Sequence, residues 1–138
     1  MLINSDTDLK RLFETVRTIA VVGCSPKPER PGHYVAKYLQ DLGYRVIPVN
    51  PGQTEILGEK CYASLRDIPE PVDMVDCFRR AEDIPPVVED AIAIGAKFVW
   101  MQLGIVNEEA AQRAIDAGIE VVMDRCPKID YPRLFREG

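Results

Sequence analysis

Gly23-Cys24-Ser25-Pro26-Lys27-Pro28-Glu29-Arg30, directly after the apolar run Thr18-Ile19-Ala20-Val21-Val22, decides how this chain is read. The run has the character of a buried strand, and the octet is the loop that carries the chain into a helix starting near Pro31. In an open α/β sheet the first strand-to-helix turn is where phosphates dock, because unpaired backbone N–H groups and the positive end of the helix face the ligand. This loop has one glycine where dinucleotide fingerprints have three, and it adds Ser25, Lys27 and Arg30. The combination points to a phosphate-rich ligand held partly by side chains.

The same strand-then-helix unit recurs along the chain. Apolar runs at Thr18–Cys24, Tyr44–Asn50, Asp73–Phe78, Ala96–Leu103 and Ile119–Asp124 are spaced as βα units are. Their near-continuous hydrophobicity, as in Phe98-Val99-Trp100-Met101, predicts strands covered on both faces. Between them, Val35, Leu39 and Leu42 and then Ile84, Val87, Val88, Ala91 and Ile92 recur at helical spacing. Gly43, Gly95 and Gly118 each stand just before a strand, where a left-handed helix cap belongs, and Asn107 suits the start of a helix. An additional helix is expected at about 6–15, a short turn around Ser64–Ile68 inside a long loop from Pro51, and a last helix near Tyr131–Arg136.

Together these predict a single domain over residues 1–138, with its core at about 18–136. The fold class is α/β: a three-layer, Rossmann-type parallel sheet with helices on both faces. Right-handed crossovers leave few topologies, and the expected order of the five main strands is 3-2-1-4-5. The ligand crevice then falls between the first and fourth strands.

Bulk properties exclude several classes. A net charge of −5 disfavours nonspecific nucleic-acid binding, which depends on clustered Lys and Arg. No stretch approaches the ~20 apolar residues of a membrane span. Residues 1–13 lack a basic end followed by an apolar core, so no signal peptide is expected. The four cysteines show no CxxC spacing, so no zinc site is predicted; their even number would permit two disulfides, but nothing suggests secretion, and reduced thiols in a cytoplasm are the expectation. One histidine, no GxSxG elbow and no GxxxxGK[ST] loop leave no recognisable catalytic constellation.

Candidate binding residues are those that end strands. Gly23 and Ser25 close the first strand, and Gly23 would let a phosphate approach the backbone. Lys27 and Arg30 offer a point charge and a planar fork, or are solvated surface charges. His33, in the first turn of the next helix, either donates to a phosphate or lies on the surface. Asn50 and Pro51 follow the second strand, where NAD-binding folds place an acid for the ribose 2′-hydroxyl; its absence weakens the NAD reading. Phe78 and Arg79 end the third strand as an aromatic with a guanidinium beside it, while Arg80 reads as solvated. Gln102 and Gly104 end the fourth, Gln102 facing a ligand amide or capping the next helix. Cys126, after the fifth strand, is either a buried small hydrophobe or the partner of a ligand thiol in a mixed disulfide.

Taken in order, GCSPKPER, YRVIPVNP, VDMVDCFRR, FVWMQLG and DRCPKIDYP resemble the small single-domain CoA-binding proteins, relatives of the CoA-binding domain of succinyl-CoA synthetase. The resemblance runs from about Leu9 to Phe135. It implies coenzyme A at the switch point of a Rossmann-type sheet, with Gly23, Ser25, Lys27 and Arg30 near the phosphates. Asn50, Pro51, Phe78 and Arg79 would border the adenosine, and Gln102, Gly104 and Cys126 the pantetheine arm. It implies a carrier, sensor or non-catalytic subunit more than an enzyme, with CoA or acyl-CoA as partner and a homodimer or another protein as possible company. The competing readings are an NADP- or other nucleotide-dependent oxidoreductase component and a protein-binding module with a vestigial site.

Overall fold

Ser5 opens the first helix: its hydroxyl accepts a hydrogen bond from the Asp8 amide, so α1 runs over Asp6–Thr15 as expected. In the computed structural model, which describes residues 1–136, the chain continues through β1 (Thr18–Val22), α2 (Pro31–Asp41) and β2 (Arg45–Val49). A small hairpin follows, β3 (Glu55–Ile56) with β4 (Glu59–Lys60), then a 3-10 turn at Leu65–Asp67 capped by Ser64. The alternation resumes with β5 (Met74–Cys77), α3 (Ile84–Ala93), β6 (Phe98–Gln102), α4 (Glu108–Asp116), β7 (Glu120–Arg125) and α5 (Pro127–Leu134). The last helix starts four residues before the expected Tyr131. Pro127 stands at its first position, where a fixed φ suits a helix and a missing N–H costs nothing.

Five strands form one parallel sheet in the order β2-β1-β5-β6-β7. The α/β class and the helices on both faces are as expected, but the order is corrected. The third main strand, β5, does not lie outside the second; it pairs with β1 on the other side, so the switch point falls between β1 and β5. Pro48 supplies one physical reason. Proline cannot donate to a second neighbour, which suits an edge strand. In β2 the Pro48 carbonyl faces outward and accepts from the Tyr62 amide, so its missing N–H falls on the outer side. The crossover supplies the other. Strand β2 is reached leftward through α2. The return to β5 runs rightward over β1 on the opposite face, where Leu65 of the 3-10 turn is buried.

Two apolar layers result. Leu9, Leu12 and Phe13 of α1 and Val35 and Leu39 of α2 pack against Ile19, Val21, Val46 and Trp100. On the other face Val88 and Ala91 of α3 and Ala111 and Ala114 of α4 cover Ala20, Ile47, Val75 and Met101. Leu42, expected on the buried side of α2, is exposed just beyond its end. All four cysteines are free and buried. No described helix is long and apolar enough to cross a membrane.

One carboxyl lies inside this sheet. Asp76, 0% exposed, sits on central strand β5 with Val21 and Trp100 as its cross-strand neighbours. Neither carboxyl oxygen has a hydrogen-bond partner among the described residues. Burial pushes its pKa well above the usual carboxylate value, because the charged form is the costly one in an apolar layer. An unfolded Asp titrates near about 3.9. The stability that the neutral form supplies is therefore complete below about pH 4 and is lost as pH rises toward the folded value. Urea melts between about pH 5 and pH 8 should show wild-type stability falling with pH by up to ~1.4 kcal/mol per unit. Asp76→Asn, which cannot ionise, should have a flatter profile. Equal slopes in the two proteins would contradict a buried neutral carboxyl.

Candidate ligand site at the carboxyl end of the sheet

Three backbones converge where β1 ends. The Phe78 amide donates to the Val22 carbonyl at 2.8 Å, and the Gly23 amide donates to the Val49 carbonyl at 3.0 Å. Gly23 thus lies between the exits of β2 and β5, in a left-handed conformation with φ +84°. A Cβ there would stand 2.3 Å from the Phe78 carbonyl oxygen, and a Cβ on Gly32 would stand 2.7 Å from the Gly23 carbonyl oxygen. The hydrogen of Gly23 therefore makes room for the end of β5, a role the sequence reading, which has it admit a phosphate, did not include.

The loop beyond is held by its own side chains. The Ser25 hydroxyl accepts from the Lys27 amide at 3.1 Å, and the Ser25 carbonyl accepts from His33 Nδ1 at 2.8 Å. Because a carbonyl only accepts, Nδ1 carries the proton and the tautomer of His33 is set. Helix α2 then starts after Arg30 without a side-chain cap, with Pro31 at its first position. Cys24, buried beside Cys61 and Asp76, has its thiol pKa pushed up to about 12, so it is an inert packing residue.

A cavity of about 490 Å³ opens over this junction. Gly23, Ser25, Lys27, Arg30, Pro31 and Gly32 line one side, Phe78, Arg79 and Arg80 the middle, and Gln102, Leu103 and Ile105 the other. Its lining has four cations and no carboxylate. Arg80 is engaged with Asp83 at 3.1 Å and Glu82 at 3.5 Å, consistent with the solvated role expected of it. Among the described residues Lys27, Arg30 and Arg79 form no ion pair, unlike Arg11, Arg45, Arg66, Arg113 and Arg133. Gathered cations without acids raise the local potential in a chain that is acidic overall. A hollow of about 470 Å³ at the opposite, amino end of the sheet differs in this respect. There Arg11 and Glu120 neutralise each other at 2.6 Å.

Gln102 is 5% exposed, and its Oε1 has no hydrogen-bond partner among the described residues. It faces the cavity and does not cap α4, which is capped by Asn107. An unpaired buried carbonyl oxygen is costly unless a donor reaches it, and a ligand amide is such a donor.

Eight of the eleven residues singled out from sequence border this cavity or its neighbour. The neighbour, about 450 Å³, is walled by Val22, Val49, Pro51, Leu65 and Val87 together with Ser64, Asp83 and Asp90, whose carboxylates pair with Arg80 and Arg66, and it shares Arg79 with the first. The remaining three lie elsewhere. Asn50 spans the loops, its Nδ2 donating to the Cys24 carbonyl at 2.9 Å and its Oδ1 accepting from the Gly52 amide at 2.9 Å. Gly104 is exposed at the crest of a turn beside the cavity. Cys126 is 8% exposed within the apolar layer under α1 and α2 and opens α5. Sequence reasoning missed Pro31, Gly32, Leu103 and Ile105. The flanks of Gln102 carried the signal for the last two, since an apolar Leu-Gly-Ile-Val loop is unusual at a surface.

Residues 17–132 match the family described as a CoA binding domain, and the chain belongs to that family. It is 44% identical over 127 residues to the uncharacterized protein YneT of Bacillus subtilis, covering 92% of this chain and 94% of that one. It is 30% identical over 128 residues to the ADP-forming acetate–CoA ligase I of Archaeoglobus fulgidus, covering 86% of this chain but only 18% of the ligase. A hypothetical protein from Pyrococcus horikoshii has the same fold, with a TM-score of 0.92, 44% identity and coverage of 95% and 92% of the two chains.

The two left-handed glycines of the site separate two effects. Gly104→Ala adds a Cβ to open space and should cost only the left-handed strain, about 1 kcal/mol. Gly23→Ala adds the same strain and a clash with Phe78, and should cost at least about twice as much. Equal losses in denaturant melts would contradict the close approach of β1 and β5.

Proposed function

We propose that the protein binds coenzyme A, free or acylated, across the carboxyl ends of β1, β5 and β6, and serves as a carrier, sensor or non-catalytic subunit. The observation that carries this reading is the set of Lys27, Arg30 and Arg79, without ion-pair partners, around the uncapped start of α2. The pyrophosphate lies over Ser25 and the start of α2, where backbone N–H groups and the helix dipole add to the side chains. Arg79, shared by both hollows, reaches the ribose-bound phosphate, and the adenosine lies against Val49, Pro51 and Val87 in the neighbouring hollow. The pantetheine arm runs along the end of β6, where Gln102 Oε1 accepts from an amide N–H.

Several features support CoA over NAD. No acid follows β2: Asn50 is there, and both ends of its amide are taken by backbone groups. The family and the match to a ligase that acts on CoA point the same way. Because the match spans 18% of that ligase, the ligase reaction itself forms no part of the proposal.

The test is a comparison of melting temperatures with CoA, 3′-dephospho-CoA, NAD and NADP. A ligand at 100 times its Kd stabilises the fold by about 2.7 kcal/mol. CoA should give the largest shift and dephospho-CoA a smaller one. A shift with NADP and none with CoA would replace this reading with a nicotinamide cofactor, and no shift at all would point to a vestigial site. Arg79→Ala should weaken CoA binding by about 1.5–3 kcal/mol in titration calorimetry while the unliganded melt is unchanged. Unaltered affinity would remove Arg79 from the site.

A further inference from the structure

We infer that the turn after β6 forms an apolar shelf for an aliphatic acyl chain, so that the site prefers acyl thioesters longer than acetyl over free coenzyme A. This rests on the CoA reading above and adds a substrate class to it.

The cavity is polarised. Its cations come from the β1 loop and the end of β5, whereas the β6 side presents Leu103 and Ile105. Leu103 is 58% exposed, and Val106 of the same loop, 46% exposed, lies toward a second hollow lined by Leu2 and Met123. Exposure of these side chains is held in place by the backbone. The Ile105 amide donates to the Gln102 carbonyl at 2.8 Å, closing a tight turn with Gly104 at φ +84°. The Gly104 amide donates to Asp124 Oδ1 at 2.7 Å. Asp124 is itself left-handed, φ +58°, at an irregularity where β7 has one residue more than β6 between paired positions. Strain of this kind persists only where the surroundings enforce it. At the far end of the loop, Asn107 donates to the Ala81 carbonyl at 2.8 Å and caps α4. Leu103 and Val106 are thus held toward solvent and Ile105 half-buried against the core, beyond the buried Gln102 oxygen that awaits an amide donor.

The occupant follows from continuity with the cavity. A ligand whose phosphates meet Lys27, Arg30 and Arg79 and whose amide meets Gln102 carries its thiol end onto Leu103 and Ile105. A polar thiol gains nothing there, but an alkyl chain does. Leu103 and Ile105, the apolar side chains that line this cavity on the β6 side, fall far short of the roughly 800 Å² per partner of a stable protein interface. Four further methylenes, fully buried, would raise affinity about 200-fold. A shelf open on one side covers less than half of each, which leaves about tenfold.

Titration calorimetry with CoA, acetyl-CoA and hexanoyl-CoA tests this on the whole protein. Hexanoyl-CoA should bind about tenfold more tightly than acetyl-CoA, and in Leu103→Ser/Val106→Ser the ratio should fall to within twofold of unity. Equal affinities for all three in the wild type would overturn the shelf and leave CoA binding standing. A ratio unchanged in the double variant would also overturn it. Failure of all three to bind would remove the underlying reading instead. Sedimentation of both proteins is run alongside: self-association lost in the variant, with no chain-length preference in the wild type, would assign Leu103 and Val106 to a second copy of the chain and overturn the inference.

Discussion

The close contact of three backbones at Gly23 is the constraint on which the site depends. Strand β1 must leave the sheet between β2 and β5, and α2 must start directly above that exit. Gly23 and Gly32 leave no room for a Cβ between these segments, 2.3 Å and 2.7 Å from the nearest carbonyl oxygens. This brings the start of α2, the Ser25 turn and the end of β5 around one cavity. Lys27 and Arg30 come from the segment entering α2, and Arg79 from the chain leaving β5, so no single element carries the cationic side of the site. A local loop could supply two such charges; the crossover geometry supplies the third.

Electrostatics then decides what the cavity can hold. The chain carries a net −5, yet the cavity's lining holds four cations and no acid. Several arginines elsewhere are matched: Arg45 with Glu59 and Glu70, Arg113 with Glu89, Arg133 with Asp6 and Asp130. Exposed pairs of that kind contribute little stability, and their significance here is comparative. Cations left unpaired next to an uncapped helix start suit a multiply charged anion. Beside this loop His33 donates from Nδ1 to the Ser25 carbonyl, and burial pushes the Cys24 thiol up to about 12.

Much of the fold was legible from sequence because parallel βα units repeat the same signals. Apolar runs, glycine at the helix ends and Asn107 before α4 located the five main strands and the helices between them, and α1 falls at the expected bounds. Strand order was not, because right-handed crossovers permit β5 on either side of β1. Pro48 carried the missing information: its outward-facing missing N–H marks β2 as an edge. Asp76 escaped notice because a carboxyl within an apolar run reads as a strand residue pointing to solvent, whereas a central strand covered on both faces leaves it nowhere to go. The loop cations and the ends of β5 and β6 line one cavity at the strand ends, where such sheets bind ligands. The contacts of Asn50 and the burial of Cys126 were not legible, because an amide that ties two loops together and a thiol that fills a core have the same one-dimensional signature as ligand contacts.

The most direct measurement is an amide-resolved NMR titration of the isotope-labelled protein with coenzyme A. The account predicts that the shifted amides cluster at Gly23–Ser25, Gly32–His33, Phe78–Arg79 and Leu103–Ile105, at one end of the sheet. Saturable shifts confined to the opposite end, around Lys97, Gly118 and Glu120, with those four segments unmoved, would contradict it.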